Sequence, residues 1–201
     1  MTRGFRNRIP RVNSDQEGAT LVEFAMIAPV FFLMLMGLFD FGFQIYAQSV
    51  VQGAVHSAAR DTSLENGAGK LAAIDEAVTR QVVRIAPGSN ITFERKNYAS
   101  FSDIGRAEDF VDTNGNSKCD NGEAFEDINR NKVWDADRGA TGVGGARDAV
   151  LYTASARFDR LFPFYAMIGL PPQSTVTGQT VLRNQPYQEQ GARDPVVETC
   201  P

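Results

Sequence analysis

Apolar residues run almost without interruption from Ala19 to Phe39 (ATLVEFAMIAPVFFLMLMGLF), with Glu23 the only charge among them. At a rise of about 1.5 Å per residue, a helix of this length matches the roughly 30 Å hydrocarbon core of a bilayer. The stretch therefore predicts a membrane-crossing helix, and Pro29 predicts a kink that such a helix tolerates. Beyond Phe39 the pattern turns one-sided. Phe43, Tyr46, Val50, Ala54 and Ala58 recur at three- and four-residue steps, which continues the helix to about Arg60 with one face against a head. Asn66-Gly67-Ala68-Gly69 breaks that run. Leu71, Ile74, Val78, Val82 and Ile85 then mark a second amphipathic helix, stopped by Pro87-Gly88.

Strand-like alternation follows at Ile91 to Arg95, at Val150, Tyr152, Ala154, Ala156 and Phe158, and at Val176 to Leu182. Two helices and then separated strands describe an α+β protein, in which a long N-terminal hydrophobic helix continues into a head and a second helix packs on a small antiparallel sheet. The expected divisions are a basic leader at 1–18, the membrane helix at 19–39 and an exported head at 40–201, with an insertion at 103–145. The proline-broken apolar stretch from Leu161 to Pro172 is either a buried connection or an exposed contact patch. Burial is the expectation, because large exposed apolar patches are uncommon unless they bind something.

Charge adds a direction. Arg3, Arg6, Arg8 and Arg11 oppose Asp15 and Glu17 in the arm before the apolar run, and positive flanks stay on the cytoplasmic side. The net charge of −4 over 201 residues gives no basic surface for nucleic acid, so no such partner is expected. No nucleophile elbow, phosphate loop, histidine pair or G-x-G-x-x-G pattern occurs, and no enzymatic activity is expected. His56, the only histidine, is read as a helix-surface or packing residue.

Glu23 is the residue that an ordinary anchor does not explain. An ionised carboxylate deep in a membrane helix costs about 2.5–3.5 kcal/mol, so it either has a partner or lies at headgroup depth. The junction Glu17-Gly18-Ala19 is equally telling: a secretory signal carries its small-residue cleavage site after the apolar run, whereas here any cut falls before it. Gly18-Ala19-Thr20-Leu21-Val22-Glu23-Phe24-Ala25, followed by Pro29, Gly37, Asp40, Gly42 and Ala58-Ala59-Arg60, resembles the opening of TadE-type pseudopilins of the tight-adherence (Flp) pilus system. Arg183-Asn184-Gln185-Pro186-Tyr187 is similar to that family's closing strand. The resemblance implies a pilin-like head, a prepilin peptidase that cuts after Gly18, and Ala19 as the new N-terminus with Glu23 at its fifth position. It also implies other pilins or pseudopilins as partners, placement in the inner membrane, and a role in adherence and biofilm formation. In that setting the α-amine of Ala19 lies near a Glu23 carboxylate, its own or a neighbour's, and each favours the charged form of the other.

The insertion carries a separate chemistry. Asp112, Asn114, Asn116, Asp120 and Glu123 occupy positions 1, 3, 5, 9 and 12 of a calcium loop, with the backbone carbonyl of Lys118 at position 7. Fifteen residues later Asp127, Asn129, Asn131 and Asp135 repeat the spacing, with Asp137 as an extra acid. Ser117 replaces the usual glycine, Arg138 stands at position 12 of the second copy, and no helices flank the loops. They therefore resemble calcium repeats of extracellular adhesion modules more than a sensor EF-hand. The alternative is a solvated loop in which each Asp or Asn bonds its own backbone.

Cys119 and Cys200 are the only cysteines, on the side where disulfides persist. An intramolecular bridge, two free thiols or an intersubunit link are the possibilities. The sequence thus reads as a minor pseudopilin of a Flp-type pilus, the alternative being an uncut, membrane-anchored, calcium-dependent adhesin or envelope binding protein.

Overall fold

The computed structural model describes residues 17–63, 71–183 and 194–201. Its first element, α1 (Glu17–Ser63), is one unbroken helix that passes through Pro29, so the apolar run and the amphipathic stretch are a single rod. The break at Asn66–Gly69 lies outside the described residues. Helix α2 (Leu71–Ile85) follows, and then six strands: β1 (Asn90–Tyr98), β2 (Ala124–Asp127), β3 (Ala140–Thr141), β4 (Ala149–Asp159), β5 (Gln173–Arg183) and β6 (Val196–Thr199). Strands β3-β1-β4-β5 form one antiparallel sheet in that order, and β2 pairs with β6 in a second. The fold is α+β. Of the segment compared with a closing strand, Arg183 ends β5, while Asn184 to Tyr187 lies outside the described residues.

One core joins the distal part of α1, the whole of α2 and one face of the larger sheet. Ala47, Val51, Ala54, Val55 and Ala58 meet Val78 and Val82 of α2 and Tyr152, Ala154, Ala156 and Phe158 of β4. The small alanines on both sides let helix and strand backbones approach, and the alternate residues of β4 face outward. The buried stripe of α1 is offset from the expected one. Phe43, Ala54 and Ala58 belong to it, but Tyr46 is exposed and Ala47 and Val51 take the inner positions. The reason is the partner: α1 lies along the outer edge of β5, and Gln48 and Gln52 on the adjoining face reach that edge.

That contact closes the sheet. Gln48 donates from Nε2 to the Thr177 carbonyl (2.7 Å) and accepts from the Thr177 amide (3.2 Å). One helical turn later Gln52 does the same with Gln179, at 2.8 and 3.1 Å. Two carboxamides at i and i+4 thus stand in for a missing strand and satisfy an edge that would otherwise recruit another chain. Gly178 lies between the two anchored residues. A Cβ there would stand 3.0 Å from Val51 Cγ1 and 3.1 Å from its carbonyl, so only glycine admits the helix this closely.

Two charged contacts lock the remaining elements. Arg95 of β1 pairs with Asp75 of α2, which also accepts from the Tyr152 hydroxyl at 2.8 Å. Asp40 of α1, almost fully buried, pairs with Arg160 just beyond β4. The connection from Leu161 to Pro172 departs from expectation: Phe164 is buried, yet Leu161, Met167, Ile168 and Leu170 are exposed. Its three prolines, Pro163, Pro171 and Pro172, and the short 3-10 turn at Pro163–Met167 keep it outside the two-layer core.

Candidate functional site

The proximal part of α1 has no cover from the other described residues. Leu21, Val22, Phe24, Met26, Ile27, Val30 and Met34 are all exposed, on a helix long and apolar enough to cross a membrane. Gly18 and Ala19 lie in the helix's first turn, and nothing approaches the position a Cβ on Gly18 would take. Glu23 is exposed and has no hydrogen-bond or ion-pair partner among the described residues. Ala19 and Glu23, four residues apart, share one side of the helix. The arginines of the arm lie outside the described residues.

The insertion is built from two loops of the same internal wiring. Asp112 accepts from the amides of Gly115, Asn116 and Ser117 at 2.7, 3.2 and 2.8 Å. Asp127 accepts from Asn131 and Lys132 at 3.1 and 2.8 Å. In the first loop the side-chain amides of Asn114 and Asn116 both donate to Asp120 Oδ2, at 2.7 and 2.6 Å. Asn129 and Asn131 donate to Asp135 Oδ2 at the same two distances. Ser117 and Lys132, in the glycine position of a calcium loop, adopt the left-handed conformation with φ of 61° and 66°. The turn is therefore made without the glycine, although residues with a Cβ are costlier there.

The carboxylate absent from the sequence reading is Glu108, whose counterpart in the first loop is the expected Glu123. Glu123 receives the amides of Thr113 (2.7 Å) and Asp120 (3.0 Å), clasping the first loop at both ends. In the second loop the equivalent amides, Ile128 (2.9 Å) and Asp135 (3.1 Å), go to Glu108. Glu108 is buried and precedes the first loop, so each glutamate clasps the loop it does not introduce. Phe110 and Phe125 bridge as antiparallel partners between them, flanked by amide bonds from Val111 to Ala124 and from Glu126 to Asp109 at 2.8 Å. The arrangement is an approximate two-fold. The signal was present: the fifteen-residue repeat extends back to Glu108/Glu123 and Phe110/Phe125.

Arg138, at the position that cannot ligate a cation, is buried instead. It donates to the Ala107 carbonyl and to Asp109 (2.9 Å), holding that carboxyl below its usual range. Trp134 donates from Nε1 to the Glu108 carbonyl at 2.9 Å and meets Phe110 edge-on. Asp137 faces away from both loops and ties the insertion to β1. Burial would raise its carboxyl, but donors from Lys96 (2.9 Å) and Tyr98 (3.0 Å) outweigh that and hold it low. Cys119 and Cys200 are joined, with α-carbons 5.7 Å apart, and the β2–β6 pair continues from that link. Among the described residues no three carboxylate, histidine or cysteine side chains converge on one point. The loop centres are occupied by carboxamide nitrogens facing Asp120 and Asp135, so a cation would require those amides to turn their oxygens inward.

These features define a protein with, among the described residues, one helix long and apolar enough to cross a membrane, whose α+β head is packed on the far half of that rod, with a two-loop insertion outside the core. Residues 18–60, the stretch that supplies the rod, match the family model described as TadE-like protein. The match is to a type of component associated with Tad pili, a structural and assembly class, and it ends before α2. No curated protein and no solved structure matches the chain.

Proposed function

We propose that this chain is a minor pseudopilin of a Flp-type tight-adherence pilus, inserted in the inner membrane with its N-terminus cytoplasmic and its head on the other side. A prepilin peptidase cuts between Gly18 and Ala19, and the trimmed helix co-assembles with other pilins to support pilus biogenesis, adherence and biofilm formation. The observation that carries this reading is the coincidence of the TadE-like match with a helix that is bare along its proximal half and clamped to a head along its distal half. A bare apolar helix needs lipid before assembly and neighbouring helices after it. Glu23, without a partner among the described residues, then pairs with the α-amine freed at Ala19, and the buried charge pair sets register between subunits. Glu23→Ala tests this: the variant inserts normally but fails to co-purify with the other pilins. Normal co-assembly overturns the role.

A second reading concerns the insertion, and the reciprocal Glu108/Glu123 clasp favours it. We propose that the loops hold calcium. The first would use Asp112, Asn114, Asn116, the Lys118 carbonyl, Asp120 and Glu123, and the second Asp127, Asn129, Asn131, the Val133 carbonyl, Asp135 and Glu108. Calcium would neutralise carboxylates that now bond only to amides, with an affinity of about 10⁻⁴–10⁻³ M typical of extracellular modules. Trp134 fluorescence and protease resistance should both change on calcium titration, and Glu108→Gln should remove the second-loop response. No change up to high millimolar calcium eliminates the site. An uncut anchored adhesin would share these loops but retain its arginine arm.

A further inference from the structure

The connection from Leu161 to Pro172 steps down α1 toward the membrane rather than away from it. Phe158, the last inward residue of β4, packs edge-on against Phe43, with ring centroids 5.5 Å apart. Arg160 pairs with Asp40, one turn lower on α1. Phe164 lies lower again, its ring 3.8 Å from where a Cβ on Gly37 would stand. The chain then returns, because Arg160 Nε donates to the Pro171 carbonyl at 3.0 Å and brings Pro171 back to the level of Asp40. Residues 165–170 are thus the tip of a loop that reaches the depth of Gly37.

That depth is fixed by the helix. Taking Pro29 as the middle of the span, Gly37 lies about 12 Å along the axis, inside a half-thickness of about 15 Å. The tip exposes Met167 (70%), Ile168 (58%) and Leu170 (41%), beside the exposed Leu38, Phe39 and Phe41 of α1. Phe164 at Gly37 and Arg160 at Asp40 hold the tip to the stretch of α1 that carries these side chains. Asp40, at the edge of the hydrocarbon, is buried beneath the loop and neutralised by Arg160, which removes the charge that would otherwise oppose such placement.

We propose that this loop is a second membrane contact: Met167, Ile168 and Leu170 insert into the acyl–headgroup boundary of the leaflet on the head's side and fix the head's tilt relative to α1. The proposal rests on the membrane-anchored reading, and the test separates the two. With Trp134→Phe removing the native indole, the full-length chain is placed in phosphatidylcholine vesicles brominated either near the headgroup or near the chain ends. Tryptophan is introduced singly by Met167→Trp, by Ile168→Trp as a second loop probe, or by Met26→Trp as a probe of the helix. Loop probes whose blue-shifted emission is lost with shallow bromine more than with deep bromine support the proposal. If Met26→Trp is quenched and both loop probes are not, the proposal is overturned, with red-shifted emission meaning water and blue-shifted emission meaning a protein partner. If Met26→Trp is itself unquenched, the anchored reading fails and the loop contact with it.

Discussion

The helix–sheet part of the head and the insertion between β1 and β4 are held together by opposite means. In the first, Val51, Val78, Val82, Ala154 and Phe158 exclude water, and most polar contacts lie at the rim, as in the Gln48 and Gln52 contacts with β5, the buried Asp40–Arg160 pair being an exception. In the second, the buried side chains include Glu108, Glu123, Asp127 and Arg138, each bonded to backbone or to an opposite charge, with a disulfide across the end. Apolar packing is cooperative and indifferent to ions. A network of carboxylates on amides is sensitive to protons, cations and reductants, so conditions should affect the two regions unequally.

The largest expected effect breaks the apolar side. Phe158→Ala removes a ring packed against Phe43 and should destabilise the whole head by about 3–5 kcal/mol, read as a lowered urea midpoint in detergent. Loss of the insertion alone would contradict the division. Next, Cys119→Ser with Cys200→Ser should cost about 2–4 kcal/mol, confined to the insertion and β6, while amides of β4 and β5 keep their exchange protection. Smaller still, Gln52→Ala frees the edge of β5 at Gln179 for about 1 kcal/mol, with exchange there rising before any global loss.

Acid should act last and only on the insertion. Because the Asp137 carboxyl is held below its ordinary value of 3.8, its contribution is complete above that pH and lost as pH falls through the lower folded value. Lys96 is raised from 10.5, so its share is present below that pH and lost as pH climbs past the higher folded value. The tie between insertion and β1 should therefore hold between these limits and loosen, by limited proteolysis, at the acid end before the core does.

Periodic segments were legible from residues alone. Both helices and the three longer strands follow apolar spacing, since a face buried against one partner must repeat at the period of its element. The short strands β2, β3 and β6 were not, because AFED, AT and VVET carry no pattern of their own and pair only where tertiary contacts bring them together. The stripe on α1 was misplaced by a few residues because alanine and glutamine, weak signals in sequence, mark the real contact with β5. The spacing of both loops was legible, but the Glu108 clasp was not drawn from it: the fifteen-residue step from Glu108 to Glu123 shows the repeat and does not show that each glutamate bonds the other loop. The exposed tip near Met167 contradicted the expected burial because Pro163, Pro171 and the short 3-10 turn hold the segment off the core, with only Phe164 reaching inward.

The central claim is that the rod is trimmed at Gly18 and then acts through its bare half. The intact mass of the chain, recovered from membranes of a host that carries the prepilin peptidase, tests it most directly. The account predicts the mass of a polypeptide beginning at Ala19 and lacking the two thiol hydrogens of Cys119 and Cys200. A mass that still includes the arginine arm, Met1 to Gly18, would contradict it.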